Sequence, residues 1–596
     1  MKHRHCAERN FERAFSRAAQ IAVLVLLCAV VAQPSSENKA RQSNPAPEHA
    51  KPSTNAYVGS QECALCHNDI YEKYSRTDMG RSMVKVDAAL LKTIPTSASV
   101  FDQHLNRHFE QYTNDGALYQ SEFEVAADGK EVFRETHKVD WIIGAGANGF
   151  GGIVQRADYL FETPLSFYSN VNAWALSPGY QYADYGFSRP ILPGCTSCHS
   201  GRPQAVLDGN GKFRKPAFQE LAVGCENCHG PGEAHIAAAS RETIVNPARL
   251  SAWLADNVCL PCHQTGDARI LHAAKDYSDF RPGSTLDSTL SIFMVPFTAQ
   301  SPPQDDLLEH YLSMRLSKCY RQSAGRLRCI TCHDPHTQPT ATEAPDYFRQ
   351  RCLTCHTEQS CSVPLAERQK QKPADNCISC HMPKRDVKAI SHSVLTNHRV
   401  VRTPQEPFPN AAFKMTTPQL PDLVHLSAEP GKTVAVPPLT LLQAYRQVML
   451  SHPEYRPRYW RLAQELDKTE PNHVAVLQGL ADLSLQQRTQ EGLNAAIAYL
   501  DRARQRGMTQ PADFEQLAKM LIATHQEPRA LEVLRQGIEV IPYDAELYRL
   551  LNRTYSSLQK TGEACQVLKK ANENFPQDDS IRELLKQCAP ETKNRQ

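Results

Sequence analysis

Seven copies of one short pattern dominate the chemistry this chain can do. C-x-x-C-H occurs at Cys63-Cys66-His67, Cys195-Cys198-His199, Cys225-Cys228-His229, Cys259-Cys262-His263, Cys329-Cys332-His333, Cys352-Cys355-His356 and Cys377-Cys380-His381. This spacing attaches c-type haem: the two thiols bond to the porphyrin vinyl groups and the adjacent His ligates the iron from one face. From the Cys and His frequencies, chance alone gives about 0.03 copies in a chain of this length. Zinc knuckles or disulfides are the alternative use of such cysteines. Zinc would need C-x-x-C pairs to meet in twos and would not need His after every second Cys. The expected cofactor is therefore haem c, seven copies, covalently attached.

Each haem ligated on both faces needs a second axial ligand. Sixteen of the 23 histidines lie outside the motifs. Those before residue 50 and those at 425, 452, 473 and 525 sit in terminal, linker or repeat sequence and are set aside. His104, His108, His137, His235, His272, His310, His336, His392 and His398 remain. His336 follows His333 by three residues, on the same side of the chain, so it would ligate a neighbouring haem. His235, six residues after His229, fits the same logic. A histidine near the iron without ligating it is the competing reading for each.

The elements that must position these groups follow from composition and pattern. At 596 residues the chain should hold several domains, and 66 basic against 64 acidic residues give no sign of a nucleic-acid partner. Residues 1–32 read as a signal peptide or N-terminal anchor: Lys2, Arg4, Arg9, Arg13 and Arg17 precede an apolar run from Ile21 to Ala32. The run is short for a membrane span of about 20 residues, so any membrane contact would be through this segment, uncleaved. An exported, periplasmic location, possible inner-membrane anchoring included, agrees with c-type haem. Residues 33–56 form a polar linker, and 57–400 carry all seven motifs. A helical pattern runs from Asp69 to Met83. Within 100–190 the alternation of Ala117–Val125 and Lys130–His137 predicts a small β-rich insert. Its Gly144-Ala-Gly146-Ala-Asn-Gly149 matches G-x-G-x-x-G, but Phe150-Gly151-Gly152 is a poor helix start, so a glycine-dense turn is the better reading. Residues 191–400 should be short helices and loops around closely packed haems. Eight prolines between 404 and 438 mark a linker or an extended wrap.

From 439 to 590 the chain reads as α-helical repeats. Pro542 and Pro576 stand 34 apart, with Phe514, Leu517, Ala518, Leu521, Ala530 and Leu534 in one repeat matched by Tyr548, Leu551, Tyr555, Ala564, Leu568 and Ala571 in the next. Pro457 to Arg506 holds more degenerate copies. Cys565 and Cys588 read as small buried residues. Cys319 and Cys361, left over in an oxidising compartment, are expected to pair.

Several stretches resemble multihaem cytochromes of the cytochrome c554 type, here joined to tetratricopeptide repeats. They are Tyr57-Val-Gly-Ser-Gln-Glu-Cys-Ala-Leu-Cys-His67, Gly224-Cys-Glu-Asn-Cys-His-Gly-Pro-Gly-Glu-Ala-His235, Cys329-Ile-Thr-Cys-His-Asp-Pro-His336, Cys377-Ile-Ser-Cys-His-Met-Pro383 and Thr396-Asn-His-Arg-Val400. The resemblance implies distal ligation by His235, His336, His398 and His310. After the first motif, where the family often has His, this chain has Met79, which is expected either to ligate haem 1 or to leave it open. Expected overall is a haem-packed multidomain protein with a β-rich insert and a helical solenoid. It would carry electrons between redox partner proteins docked on the repeats. An oxidoreductase acting on a small nitrogen or sulfur compound at a haem with an open axial position is the alternative.

Overall fold

A computed structural model describes residues 55–304, 308–384 and 396–588. The expected N-terminal targeting segment and His392 lie outside the described residues. No described helix is long and apolar enough to cross a membrane.

The β-rich region is two antiparallel sheets. One has the order β2-β3-β4-β5: β2 (Ala98–Asp102), β3 (Arg107–Asn114), β4 (Ala117–Val125) and β5 (Glu131–Lys138). The other has the order β1-β6-β7-β8-β9: β1 (Met83–Lys85), β6 (Trp141–Ile143), β7 (Gly149–Arg156), β8 (Tyr159–Tyr168) and β9 (Ala173–Leu176). The hairpins turn where Asp115-Gly116 and Asp128-Gly129 allow it. The G-x-G-x-x-G stretch joins β6 to β7 as an antiparallel connection, with no helix after it. Gly144 has φ 98°, and a Cβ there would meet the Gly149 carbonyl oxygen at 2.9 Å, so the glycines serve the turn.

Residues 193–381 are built from short helices, with the six later motifs on or beside them. The first motif lies on the 15-residue helix Ser60–Tyr74, which begins before the Asp69–Met83 span expected to be helical and ends within it. A further hairpin pairs β10 (Arg202–Ala205) with β11 (Phe213–Glu220), and a three-stranded sheet has the order β12-β13-β14 from Ala268–Leu271, Leu290–Met294 and Val424–His425. β14 comes from the proline-rich stretch. That stretch is an extended wrap rather than a free linker: Leu420, Leu423, Val424 and Leu426 are buried.

The C-terminal part is a helical solenoid of antiparallel hairpins: α1 (Pro438–Ser451), α2 (Arg456–Leu466), α3 (Val474–Leu485), α4 (Gln490–Gln505), α5 (Pro511–Ala523), α6 (Glu527–Val540), α7 (Ala545–Ser557), α8 (Thr561–Asn574) and a closing α9 (Asp579–Lys586). The twelve repeat residues predicted to fill the seam are all buried. α6 and α8 each end two residues before a proline, and Asp544 and Asp578 cap the following helices by accepting from Leu547 N and Ile581 N, both at 3.0 Å. Cys565 and Cys588 are not isolated small residues: they form a disulfide that ties α8 to the end of α9. Cys319 and Cys361, expected to pair, are both free thiols.

The solenoid is anchored at both ends. At the first, Leu442 and Tyr445 share a core with Ala268, Ile270 and Phe293 of the three-stranded sheet. At the second, Tyr543 lies edge-on to Tyr159 and Phe161, with ring centroids at 5.3 and 5.9 Å, and its hydroxyl donates to Asn210 O. Beside it Arg107 donates to Gln577 O and to Asp579, and Arg582 donates to Glu124.

Candidate haem-attachment sites

The motif histidines meet other histidines across long stretches of chain. His67 and His235 have ring centroids 6.3 Å apart and planes parallel to within 9°. His229 and His336 stand 5.9 Å apart at 14°. His333 and His398 stand 6.2 Å apart at 26°. An imidazole nitrogen sits about 2.0–2.1 Å from a ligated metal and roughly 1.1 Å from its own ring centre, so two axial ligands of one ion have centroids about 6.3 Å apart. Three pairs meet that separation. His263 and His310 do not, at 4.9 Å and nearly perpendicular, and His310 also lies 4.5 Å from His398.

The far nitrogens of these rings are held as ligand imidazoles are held, by backbone carbonyls. Nδ1 of His229 bonds Val245 O at 2.7 Å, that of His381 bonds Val401 O at 2.6 Å, that of His235 bonds Ser240 O at 2.9 Å and that of His398 bonds Thr396 O at 2.9 Å. Each leaves Nε2 as the outward nitrogen. Burial pushes the pKa of His229 down, with His336 nearby adding to it, and burial carries His398 down to about 4. Both rings are therefore neutral, the form that binds metal. His263 is accessible to water yet crowded enough by protein for desolvation to lower it, as a side chain lining an open cleft would be.

Four pairs of thiols from different motifs lie beside each other: Cys63 with Cys225, Cys198 with Cys262, Cys259 with Cys329 and Cys352 with Cys377. The bond from the partner thiol pulls Cys225 down to about 7 and Cys198 and Cys377 down to about 6. Among the described residues no three His, Cys, Asp or Glu side chains converge as a metal-ligand set. A bare zinc ion asks the protein for three or four ligands. A porphyrin iron brings four nitrogens and asks for two, which is what facing pairs offer. Cys66 is disulfide-bonded in this structure, a bond that would have to open before the first motif takes up a haem.

The ring that faces His67 is that of His235, and Met79 is half-buried beyond the end of the helix Ser60–Tyr74. His137, on β5, meets no motif histidine: its Nε2 lies 2.7 Å from Glu135 Oε1 and its ring packs on Phe187. Of the remaining motif histidines, His356 is exposed and His199 is half-buried. His108 is stacked between Phe101 and Phe123, and His272 bonds Ser291 Oγ. His425 on β14 packs on Phe293 of β13, and burial pushes it down to about 4.

No protein-family model matches the chain, and no curated protein matches it. Among solved structures, YrrB, described as a TPR protein with an unusual peptide-binding site, is 16% identical, with a TM-score of 0.23 over 27% of this chain and 80% of its own. MamA is 17% identical, with a TM-score of 0.21 over 24% of this chain and 81% of its own. TTC0263, a thermophilic TPR protein of Thermus thermophilus, is 19% identical, with a TM-score of 0.20 over 26% of this chain and 81% of its own.

Proposed function

We propose that the protein is an exported seven-haem c-type cytochrome that passes electrons between redox partner proteins, with the helical solenoid as the docking surface. The observation that carries the reading is the set of facing histidines, His67 with His235, His229 with His336 and His333 with His398, each joining a C-x-x-C-H histidine to a second imidazole at the separation one iron requires.

A second observation supports it. Between Leu316 and Val401 the described residues bury only Ser317, Pro345, Arg368, Asp375, Asn397 and Arg399. Ordering each residue costs about 1–2 kcal/mol of backbone entropy, and apolar burial is what normally offsets it. This stretch carries three motifs and, among its described residues, no aliphatic or aromatic core of its own, so three porphyrins would be its core.

Bound haem supplies reversible one-electron chemistry. The chain's own residues do the rest. The cysteines of each motif would fix the ring, His67 with His235, His229 with His336 and His333 with His398 would hold the iron in three of the sites, and the carbonyls of Val245, Ser240, Thr396 and Val401 hold His229, His235, His398 and His381 in one tautomer. A site filled on both faces has no position for substrate, which favours a carrier over a catalyst.

The test is a covalent haem count by intact mass, followed by electron paramagnetic resonance of the oxidised, periplasmically expressed protein. Seven haems with low-spin signals only support the carrier. A high-spin signal that shifts on adding nitrite, hydroxylamine or cyanide would move the reading to an oxidoreductase with one open haem. A mass equal to that of the processed polypeptide alone would refute both.

A further inference from the structure

The middle residues of C-x-x-C-H are free of any role in attachment, yet Glu226, between Cys225 and Cys228, is only 2% exposed. Its carboxylate faces four backbone contacts. Val58 N donates to its two oxygens at 3.0 and 3.1 Å, Gly59 N at 2.7 Å and Gly232 N at 2.7 Å. Gly59 precedes the helix Ser60–Tyr74, which carries His67, and Gly232 precedes the helix Glu233–Ala237, which carries His235. Neither glycine has a side chain to cap its helix. One buried carboxylate therefore joins the amino ends of the two helices whose histidines face each other at 6.3 Å.

The charge suits the position. N–H groups at a helix start favour an anion, and charge-assisted bonds to an ionised carboxylate are about twice as strong as neutral ones. The rest of the joint is laced independently: Asn55 Nδ2 donates to Pro231 O, Ala234 N to Asn55 Oδ1, and Ala56 N to Glu233. The same device recurs elsewhere. Glu309, immediately before His310, accepts from Gln264 Nε2 at 2.6 Å, Thr265 N at 2.5 Å and Gly266 N at 3.1 Å, just after His263.

We infer that Glu226 is a positioning residue that, from inside the third motif, sets the spacing and orientation of the His67–His235 pair belonging to the first. The inference rests on the haem reading above. Attachment at the third motif needs only Cys225, Cys228 and His229, so loss of Glu226 should disturb haem 1 while haem 3 stays attached.

The experiment compares the full-length holoprotein with Glu226→Gln and Gly232→Ala. The amide puts an N–H₂ donor against backbone donors. The added methyl would meet Val58 Cγ2 at 3.0 Å and Glu226 Oε1 at 3.2 Å, nudging the carboxylate while keeping its charge. Seven haems by mass are expected in all three proteins. Glu226→Gln should lose one low-spin signal and gain a high-spin signal that cyanide abolishes, whereas Gly232→Ala should shift the g-values of that same signal without losing it. Seven haems with wild-type spectra in both variants would overturn this inference alone. A wild-type protein without covalent haem would overturn it together with the reading it rests on.

Discussion

The disulfide between Cys565 and Cys588 offers a sharp test of how the solenoid ends. It closes a loop over a sequence separation of 23. On the chain-entropy model such a loop contributes about 3 kcal/mol by restricting the unfolded segment. What it restrains is α9, the last helix among the described residues. Its other ties are the fully buried Ile581, the Asp578 cap through Ile581 N, and the bonds from Arg582 to Glu124 of β4 and from Arg107 of β3 to Asp579. Replacing both cysteines by serine should therefore weaken α9 locally while the rest of the chain stays folded. Hydrogen exchange is the assay. Amide protection over 579–588 should fall by roughly a hundredfold, the equivalent of about 3 kcal/mol, while β7 and β8 keep wild-type protection. Protection in α9 within about threefold of wild type would refute the account and leave Ile581 and the polar ties as what holds the helix.

Other predictions concern charge and ligation. Arg107 is 4% exposed and faces Glu122, Glu124, Asp184 and Asp579. Arg107→Leu should cost about 3–5 kcal/mol, the usual result of stranding buried acids, and Glu122→Gln in the same chain should return part of it, both read by urea unfolding. Burial raises Glu162 to about 7 despite Arg189, so the folded state holds a proton that the unfolded state releases near the ordinary 4.5. Its contribution is full below that value and is lost as pH rises through 7. Glu162→Gln should flatten the stability profile between those limits, and an unchanged slope in thermal melts would contradict this. His336→Ala should leave seven haems by mass and convert one low-spin signal to high spin. Loss of no signal would mean that His229 has another partner.

Much of the fold is legible in the sequence where periodicity carries it. The strands expected at 117–125 and 130–137 are found at Ala117–Val125 and Glu131–Lys138, marked by the Asp-Gly turns that bound them, while their burial is not legible: β4 buries Leu118 and all of Gln120 to Phe123, and β5 buries only Glu135. The repeat residues around Pro542 and Pro576 are legible because helix pairing repeats every 34 residues. The pairing of histidines is not. Met79 is close to the first motif along the chain, but His235 is brought to His67 by contacts around Glu226 that no local pattern announces. The proline-rich stretch is legible as an extended wrap, but not where it packs: β14 is two residues long, and Leu420, Leu423 and Leu426 gain their meaning only from the sheet they cover. Cys565 and Cys588 look unrelated until α9 folds back on α8.

The anchoring of the solenoid changes what its removal would reveal. A tethered docking module could be deleted and leave the motif-bearing region intact. Here a chain ending at 437 would uncover Ala268, Ile270 and Phe293 at one end and Tyr159 and Phe161 at the other. A fully buried large apolar side chain is worth about 1.5–3 kcal/mol, so exposing Ile270, Phe293, Tyr159 and Phe161 together rivals the whole stability of a domain, about 5–15 kcal/mol. The shortened chain should aggregate or melt well below the full protein, as read by size-exclusion chromatography and thermal unfolding. If it stays monodisperse with an unchanged midpoint, the solenoid is a separable module and the packed ends contribute little. If it fails as expected, loss of partner binding after truncation says nothing about docking. Substitutions at exposed solenoid positions such as Lys519 and Arg553, which leave both anchors in place, become the way to find the partner surface.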